Sequence, residues 1–177
     1  MYRLTKTIKN YIDYLVDSFL ISKAARYDIK GKRYIGSPAK YYFEDVGLRN
    51  ARLGFRQVEE NHLMENIIYN ELRIRGYHVD VGVVEHYSTN KVGKREKKQL
   101  EVDFVATMGS EKYYIQSAYA MPTSDKMDQE QRSLLSISDS FRKIIVVGRN
   151  QKVRHDENGI ATIGLRNFLL DEDSLRL

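Results

Sequence analysis

The chain has 177 residues, 42% of them apolar and 30% charged, with two prolines and no cysteine. That length buries a core of its own but leaves no room for two full-sized domains, and the composition excludes disordered, collagen-like and low-complexity chains. A cysteine-free chain has no disulfide framework, no thiol nucleophile and no Cys-based zinc site. No apolar run approaches the roughly 20 residues that a bilayer span needs, and charges interrupt the first apolar stretch, unlike a signal peptide. A cytoplasmic protein without membrane contact is the expectation. The net charge of +5 is unevenly spread: residues 1–58 hold 12 Lys and Arg against 5 Asp and Glu, whereas residues 59–177 hold 17 against 19. A polyanion would dock on the first third; an ordinary solvated surface is the alternative.

Residues 5–20 read as an amphipathic helix, with Ile8, Tyr11, Ile12, Leu15 and Phe19 at three- and four-residue steps. Two extended runs come next, Leu20–Tyr27 and Tyr34–Ile35, around the basic turn Lys30-Gly31-Lys32-Arg33. A helix followed by a basic hairpin is the second half of a winged helix, and one helix with one hairpin cannot close a core alone. The segment therefore either packs on the later part of the chain or is the remnant of a domain, and the remnant is the reading adopted for residues 1–58. A strand at Tyr41-Tyr42-Phe43 leads to a short helix from about Asp45, in which Arg49, Arg52 and Arg56 share one face suited to phosphate contacts.

The second unit, 59–177, opens with a helix from Glu59 to Arg75, stopped by Gly76. A strand at His78–His86 precedes a polar loop, Tyr87–Lys98, whose Lys91, Lys94, Arg95, Lys97 and Lys98 would suit a phosphate backbone or serve solubility alone. Leu100–Met108 and Lys112–Tyr119 alternate as two hairpin strands, Gln129–Ile137 suggests a helix, and Lys143–Gly148 reads as a strand buried on both faces. Asn150–Gly159 is a loop, Ile160–Ile163 a short strand and Leu165–Leu170 a terminal helix. The order is α-β-β-β-α-β with a small β-α tail, an α/β class.

Strict alternation over Leu100–Ala106 sends Leu100, Val102, Phe104 and Ala106 to one face and Glu101 and Asp103 to the other. Two carboxylates stepping along one face can ligate a hard divalent cation, or lie on a solvated face or in a salt bridge. The hairpin partner brings Gln116 and Ala118 to that side. Glu71 falls within the apolar arc of its helix, where a carboxylate needs a partner; an arginine from the first unit is the expected one. Tyr113, Tyr114 and Tyr119 read as core. The four histidines show no metal-ligand spacing, and neither a nucleophile elbow nor a GxxxxGK[ST] phosphate loop is present.

An acid on one strand, an acid-x-Lys on its hairpin partner and a Glu on the preceding helix make the PD-(D/E)XK nuclease pattern, and the chain resembles it in element order. It resembles more specifically the C-terminal domain of bacterial and archaeal AAA-type ATPases known as domain of unknown function 4143. The resemblance rests on the stretches 10–15, 27–32 and 40–50, on Glu65-Asn66, Asn70-Glu71-Leu72 and Arg75-Gly76-Tyr77, and on 101–105 and 132–135. It implies a restriction-endonuclease-like core, with Glu65 as the helix acid and Asp103 as the central carboxylate. Gln116 would then replace the third acid and Ala118 the lysine, for which Lys112 is a relocated candidate. Glu65, Glu101 and Asp103 would hold Mg²⁺ or Mn²⁺ if the site were active, whereas a carboxamide is a weak ligand and alanine orients no water. The resemblance thus implies a degenerate nuclease fold serving as a non-catalytic module that binds nucleic acid or a protein partner. A metal-dependent phosphodiesterase and a ring-assembly domain are the alternatives. ATP would enter only through an upstream ATPase domain, in the same polypeptide or a neighbouring subunit.

Overall fold

The computed structural model describes residues 2–56, 59–89, 93–120 and 131–176. In chain order these form α1 (Tyr2–Asp17), β1 (Ile21–Asp28), β2 (Arg33–Phe43), α2 (Val46–Arg52) and α3 (Glu60–Ile74). Then come β3 (His78–Thr89), β4 (Arg95–Met108), β5 (Glu111–Ala118), a helical stretch α4 at residues 131–135, and β6 (Arg142–Val147). The chain ends with β7 (Arg154–His155), β8 (Ala161–Gly164) and α5 (Leu165–Leu170). All eight strands join one mixed sheet in the order β2-β1-β3-β4-β5-β6-β8-β7.

The local chemistry explains the boundaries. Asp45 caps α2, its Oδ1 accepting the Leu48 N–H at 2.9 Å. Gly76, at φ 88°, turns the chain out of α3 into β3. Two apolar layers cover the sheet. On one face α3 and α5 bring Met64, Ile68, Leu72 and Phe168 against Val79, Val81, Phe104, Ile115 and Ile144. On the other, Leu134 and Ile137 pack on Val102, Val105, Tyr114 and Ile145.

From residue 59 the elements run α3, β3, β4, β5, α4, β6, the α-β-β-β-α-β order expected. The first third behaves differently from a remnant. A hairpin alone is marginal, and this one solves the problem by pairing β1 parallel to β3, Arg26 opposite Val81 and Asp28 opposite Val83. The wing-like hairpin is thus the edge of the common sheet. Its second strand is longer than the two short runs read from sequence, and takes in Tyr41–Phe43. Helix α1 contributes little to the core: Ile8, Tyr11 and Leu15 are all exposed, and so is Phe19, at 82%, which lies past the helix end at positive φ because α1 stops at Asp17, short of the residue 20 expected. Among the described residues no helix is long and apolar enough to cross a membrane.

Three further expectations are corrected. Arg56 leaves the Arg49–Arg52 stripe because α2 stops at Arg52 and the chain turns through Gly54 and Phe55, both at positive φ. The loop expected at 87–98 is mostly strand, since β3 runs to Thr89 and β4 starts at Arg95; Lys91 lies outside the described residues. Tyr113 and Tyr114 are buried as expected, but Tyr119 is 38% exposed.

Candidate functional site

The register of β4 decides what the acidic strand can present. Asp80 pairs with Val105 and Gly82 with Val102, so Asp103 and Phe104 together oppose the single residue Val81. This is a β-bulge, in which alternation slips by one. Val102 and Val105 consequently face α4, while Phe104 and Ala106 face α3, and the strict alternation read from sequence fails at this point. Gly82 sits on the partner strand where a Cβ would lie 2.9 Å from Ile29, Val102 and Val105 side-chain atoms, so only glycine fits against the bulge.

Glu65, Glu101 and Asp103, the acids expected to hold a metal, converge on Lys40. Its Nζ lies 2.8 Å from Glu65 Oε1, 2.7 Å from Glu101 Oε1 and 3.5 Å from Asp103 Oδ1. Tyr42, two residues along β2 and therefore on the same side, donates to Glu65 Oε1 at 2.6 Å. Arg26 of β1 holds the other Glu101 oxygen at 2.6 Å. Three carboxylates face two cations, leaving one formal negative charge. Burial pulls the Lys40 ammonium towards neutrality, but Asp103, Glu65 and the hydrogen bonds to Glu101 and Glu65 outweigh it, and its pKa rises above the ordinary lysine value. Burial, and then Glu65, hold the Tyr42 phenol protonated well past its usual range.

Gln116 and Ala118 point elsewhere. Tyr113 and Ile115 of β5 lie in the layer facing α3, whereas Tyr114 and Ala118 lie in the layer facing α4, and period-2 geometry puts Gln116 with the latter. Its Oε1 accepts the Asp103 N–H at 3.3 Å, and Asp103 Oδ2 accepts the Ser117 N–H at 2.9 Å. The β4–β5 ladder runs from Met108–Glu111 to Phe104–Ile115; these two bonds continue the seam across the bulge. Lys112, the relocated candidate, sits between the Tyr27 and Phe141 rings, 5.9 and 5.0 Å from their centres. Lys40, on a strand 63 residues before Asp103, is the group that sequence reasoning missed; a lysine two residues from a core tyrosine on one strand was the available signal.

A cleft of about 470 Å³ opens beside this cluster, lined by Lys40, Tyr41, Tyr42, Phe43, Arg49, Glu59, His62, Glu65 and Asn66. Asn66 closes its floor by bonding both the N–H and C=O of Phe43, at 2.9 and 2.7 Å. His62, assigned nothing from sequence, lies 3.1 Å from Glu59. Mg²⁺ or Mn²⁺ does not fit the residues as they stand. The ammonium occupies the point where the oxygens converge, and they stand off at nitrogen–oxygen distances rather than the roughly 2.1 Å of a magnesium shell. Among the described residues no group of three or more His, Asp or Glu is set to hold a metal ion.

Glu71 finds its arginine on its own helix end, not in the first unit: Arg75 Nε donates to Oε1 at 2.8 Å. The basic residues divide into two places. Lys30 and Lys32 of the β1–β2 turn share a cleft of about 340 Å³ with Glu85 and Tyr87 of β3. Lys97 and Arg95 lie across the ladder from Tyr87 and Thr89; Lys97 pairs with Glu85 at 2.5 Å, and Arg95 lies 4.4 Å over the Tyr87 ring. Arg33 is at the same turn, its side chain 79% exposed and 3.6 Å from Asp28. Lys94 leads into β4, and Lys98 faces the opposite side of the arm, opposite His86. Arg49 and Arg52 lie beyond the other end of β2, eleven residues or roughly 35 Å of strand away.

Two family models match: a domain of unknown function, DUF8612, over residues 4–59, and another, DUF4143, over residues 60–168, more than half of the chain. The chain belongs to the DUF4143 family. A Haemophilus influenzae protein described as uncharacterized is 36% identical over 164 residues, covering 93% of this chain and 37% of that protein. The chain therefore spans little more than a third of the curated relative it matches.

Proposed function

We propose that this chain is a non-catalytic nucleic-acid-binding module built on a degenerate PD-(D/E)XK-like fold, and that it serves as the C-terminal part of an AAA-type ATPase. The observation that carries binding is the meeting of the β1–β2 turn with the β3–β4 arm, which brings Lys30, Lys32, Arg33, Lys94, Arg95 and Lys97 to one end of the strands from segments some sixty residues apart, with Lys98 on the other side of the arm. A projecting two-stranded ribbon with basic side chains suits a phosphate backbone. The α3-β3-β4-β5-α4-β6 order and the convergence of Glu65, Glu101 and Asp103 support the nuclease-like ancestry. Against catalysis stand Gln116 and Ala118, turned to the opposite face, and Lys40, whose ammonium sits where the acids would hold a metal.

The test is fluorescence anisotropy with a labelled DNA duplex at 50 and 200 mM salt. Four or five phosphate contacts predict a loss of affinity of roughly two to three orders of magnitude over that range. Replacing Lys30, Lys32, Arg95 and Lys98 together by Gln should flatten the log–log salt slope by about 3 to 4. Binding that ignores salt, or a slope unchanged in the variant, would refute the reading. The exposed apolar positions of α1 and of Phe19 just beyond it, 82% exposed, favour assembly with a protein surface as the second reading; sedimentation showing a salt-insensitive oligomer that Phe19→Ser dissolves would favour it instead.

A further inference from the structure

We propose that Lys40 is the resident cation of the carboxylate centre, doing with one ammonium what a divalent ion does in a metal-bound cluster, and so keeping metal out. The inference does not depend on nucleic-acid binding. Each of the three acids belongs to a different environment: Glu65 to α3, Glu101 to the straight part of β4, and Asp103 to its bulge. One side chain from the sheet edge reaches all three, at 2.8, 2.7 and 3.5 Å. The ammonium hydrogen-bonds Glu65 and Glu101, and Asp103 completes the set as an ion pair at 3.5 Å. Tyr42 and Arg26 secure oxygens of Glu65 and Glu101, so the acids are oriented towards Lys40 from outside the cluster as well. A second cation of charge two at this point would meet the ammonium at contact distance, and the oxygens would have to draw in by about 0.6 to 1.4 Å to reach magnesium-like lengths. Removing the ammonium reverses the situation. Three carboxylates then face Arg26 alone, two formal negative charges in excess, in oxygen chemistry that a hard divalent ion satisfies.

The consequence is a chain whose hairpin edge, helix and central strand are fastened by a lysine, and whose stability is indifferent to divalent ions. Thermal unfolding of the full chain in EDTA and in MnCl₂ at a few millimolar reads this out, for the wild type and for Lys40→Ala. The wild type should unfold at the same temperature in both buffers. Lys40→Ala should unfold about 5–10 °C lower in EDTA and recover at least half of that loss in MnCl₂, with the recovery absent from Lys40→Ala/Asp103→Asn. Recovery independent of Asp103, or a variant that folds without loss in EDTA, overturns the proposal. So does a wild-type midpoint higher in MnCl₂ than in EDTA, and that measurement decides the matter even if the alanine variant does not fold. Isothermal titration of MnCl₂ adds a second readout: affinity at least tenfold tighter in Lys40→Ala than in the wild type is expected, and equal affinity contradicts the assignment.

Discussion

Replacing Arg75 by Met should be among the most damaging single changes outside the carboxylate centre. The Arg75 side chain is 7% exposed. Its guanidinium donates to Glu71 Oε1 and to Ser174 Oγ, both at 2.8 Å, to Glu172 O at 3.3 Å, and to Phe168 O, and it lies 4.6 Å over the Phe168 ring. These contacts tie the end of α3 to the last turn of the chain. Methionine keeps most of the volume, so the loss is electrostatic: a carboxylate at Glu71 left half-buried without its cation, and two carbonyls left with fewer donors. Breaking a buried pair from one side costs about 3–5 kcal/mol. The Glu71 side chain retains 21% exposure, which lets water take up part of the loss and places the figure nearer about 3 kcal/mol. For a chain of this length that is a fall in Tm of roughly 6–12 °C. Urea unfolding followed by circular dichroism measures it, with Glu71→Gln and the double variant completing the cycle; a coupling energy of about 1–3 kcal/mol is expected. An Arg75→Met cost below about 1 kcal/mol, or strict additivity, would show that the arginine does not hold this corner together.

Gly82→Ala should destabilise by about 1–3 kcal/mol through overpacking, since the new methyl would meet three side chains at 2.9 Å; a neutral outcome in chemical denaturation would mean the bulge relaxes freely. Gln116→Leu strips the acceptor from the Asp103 N–H and should cost about 1–3 kcal/mol, whereas Ser117→Ala, which keeps its backbone N–H for Asp103, should be nearly silent. Alkaline unfolding should be steep. Burial raises the phenols of Tyr42, Tyr69, Tyr113 and Tyr114, and that of Tyr77 to about 12, and the carboxylates raise Lys40. In each case the folded chain holds the proton more tightly than the unfolded one, so this stability is complete below about pH 10 and falls as pH rises through and beyond that value. Ultraviolet absorbance of the phenolate should show a late tyrosine step coincident with loss of ellipticity; a smooth titration completed in the folded state would contradict it.

The elements were legible wherever a local rule governed them. Gly76 marked the end of α3, Asp45 the start of α2, and the apolar runs the buried strands. The resemblance points to Glu65 and Asp103 as a pair, and the structure joins them through Lys40. The sequence does not display the bulge, because one inserted residue leaves the pattern Leu100–Ala106 looking perfectly alternating while Phe104 has changed sides. Lys40 escaped for a different reason. Its partners lie 25, 61 and 63 residues away, and only the pairing of β1 with β3 carries β2 close enough to meet them. The same pairing turned an apparent wing into a sheet edge. At β5 the period of two holds, but the bulge in β4 shifts the face it is counted from, so Gln116 and Ala118 turn away from the centre.

The proposed function has this fold bind polyanions without cutting them. Incubating the chain with an end-labelled DNA duplex in millimolar MgCl₂ or MnCl₂, and running native and denaturing gels side by side, tests both halves at once. A salt-sensitive shift on the native gel and full-length strands on the denaturing one are expected. Shortened strands that require the metal and disappear in Asp103→Asn would contradict it.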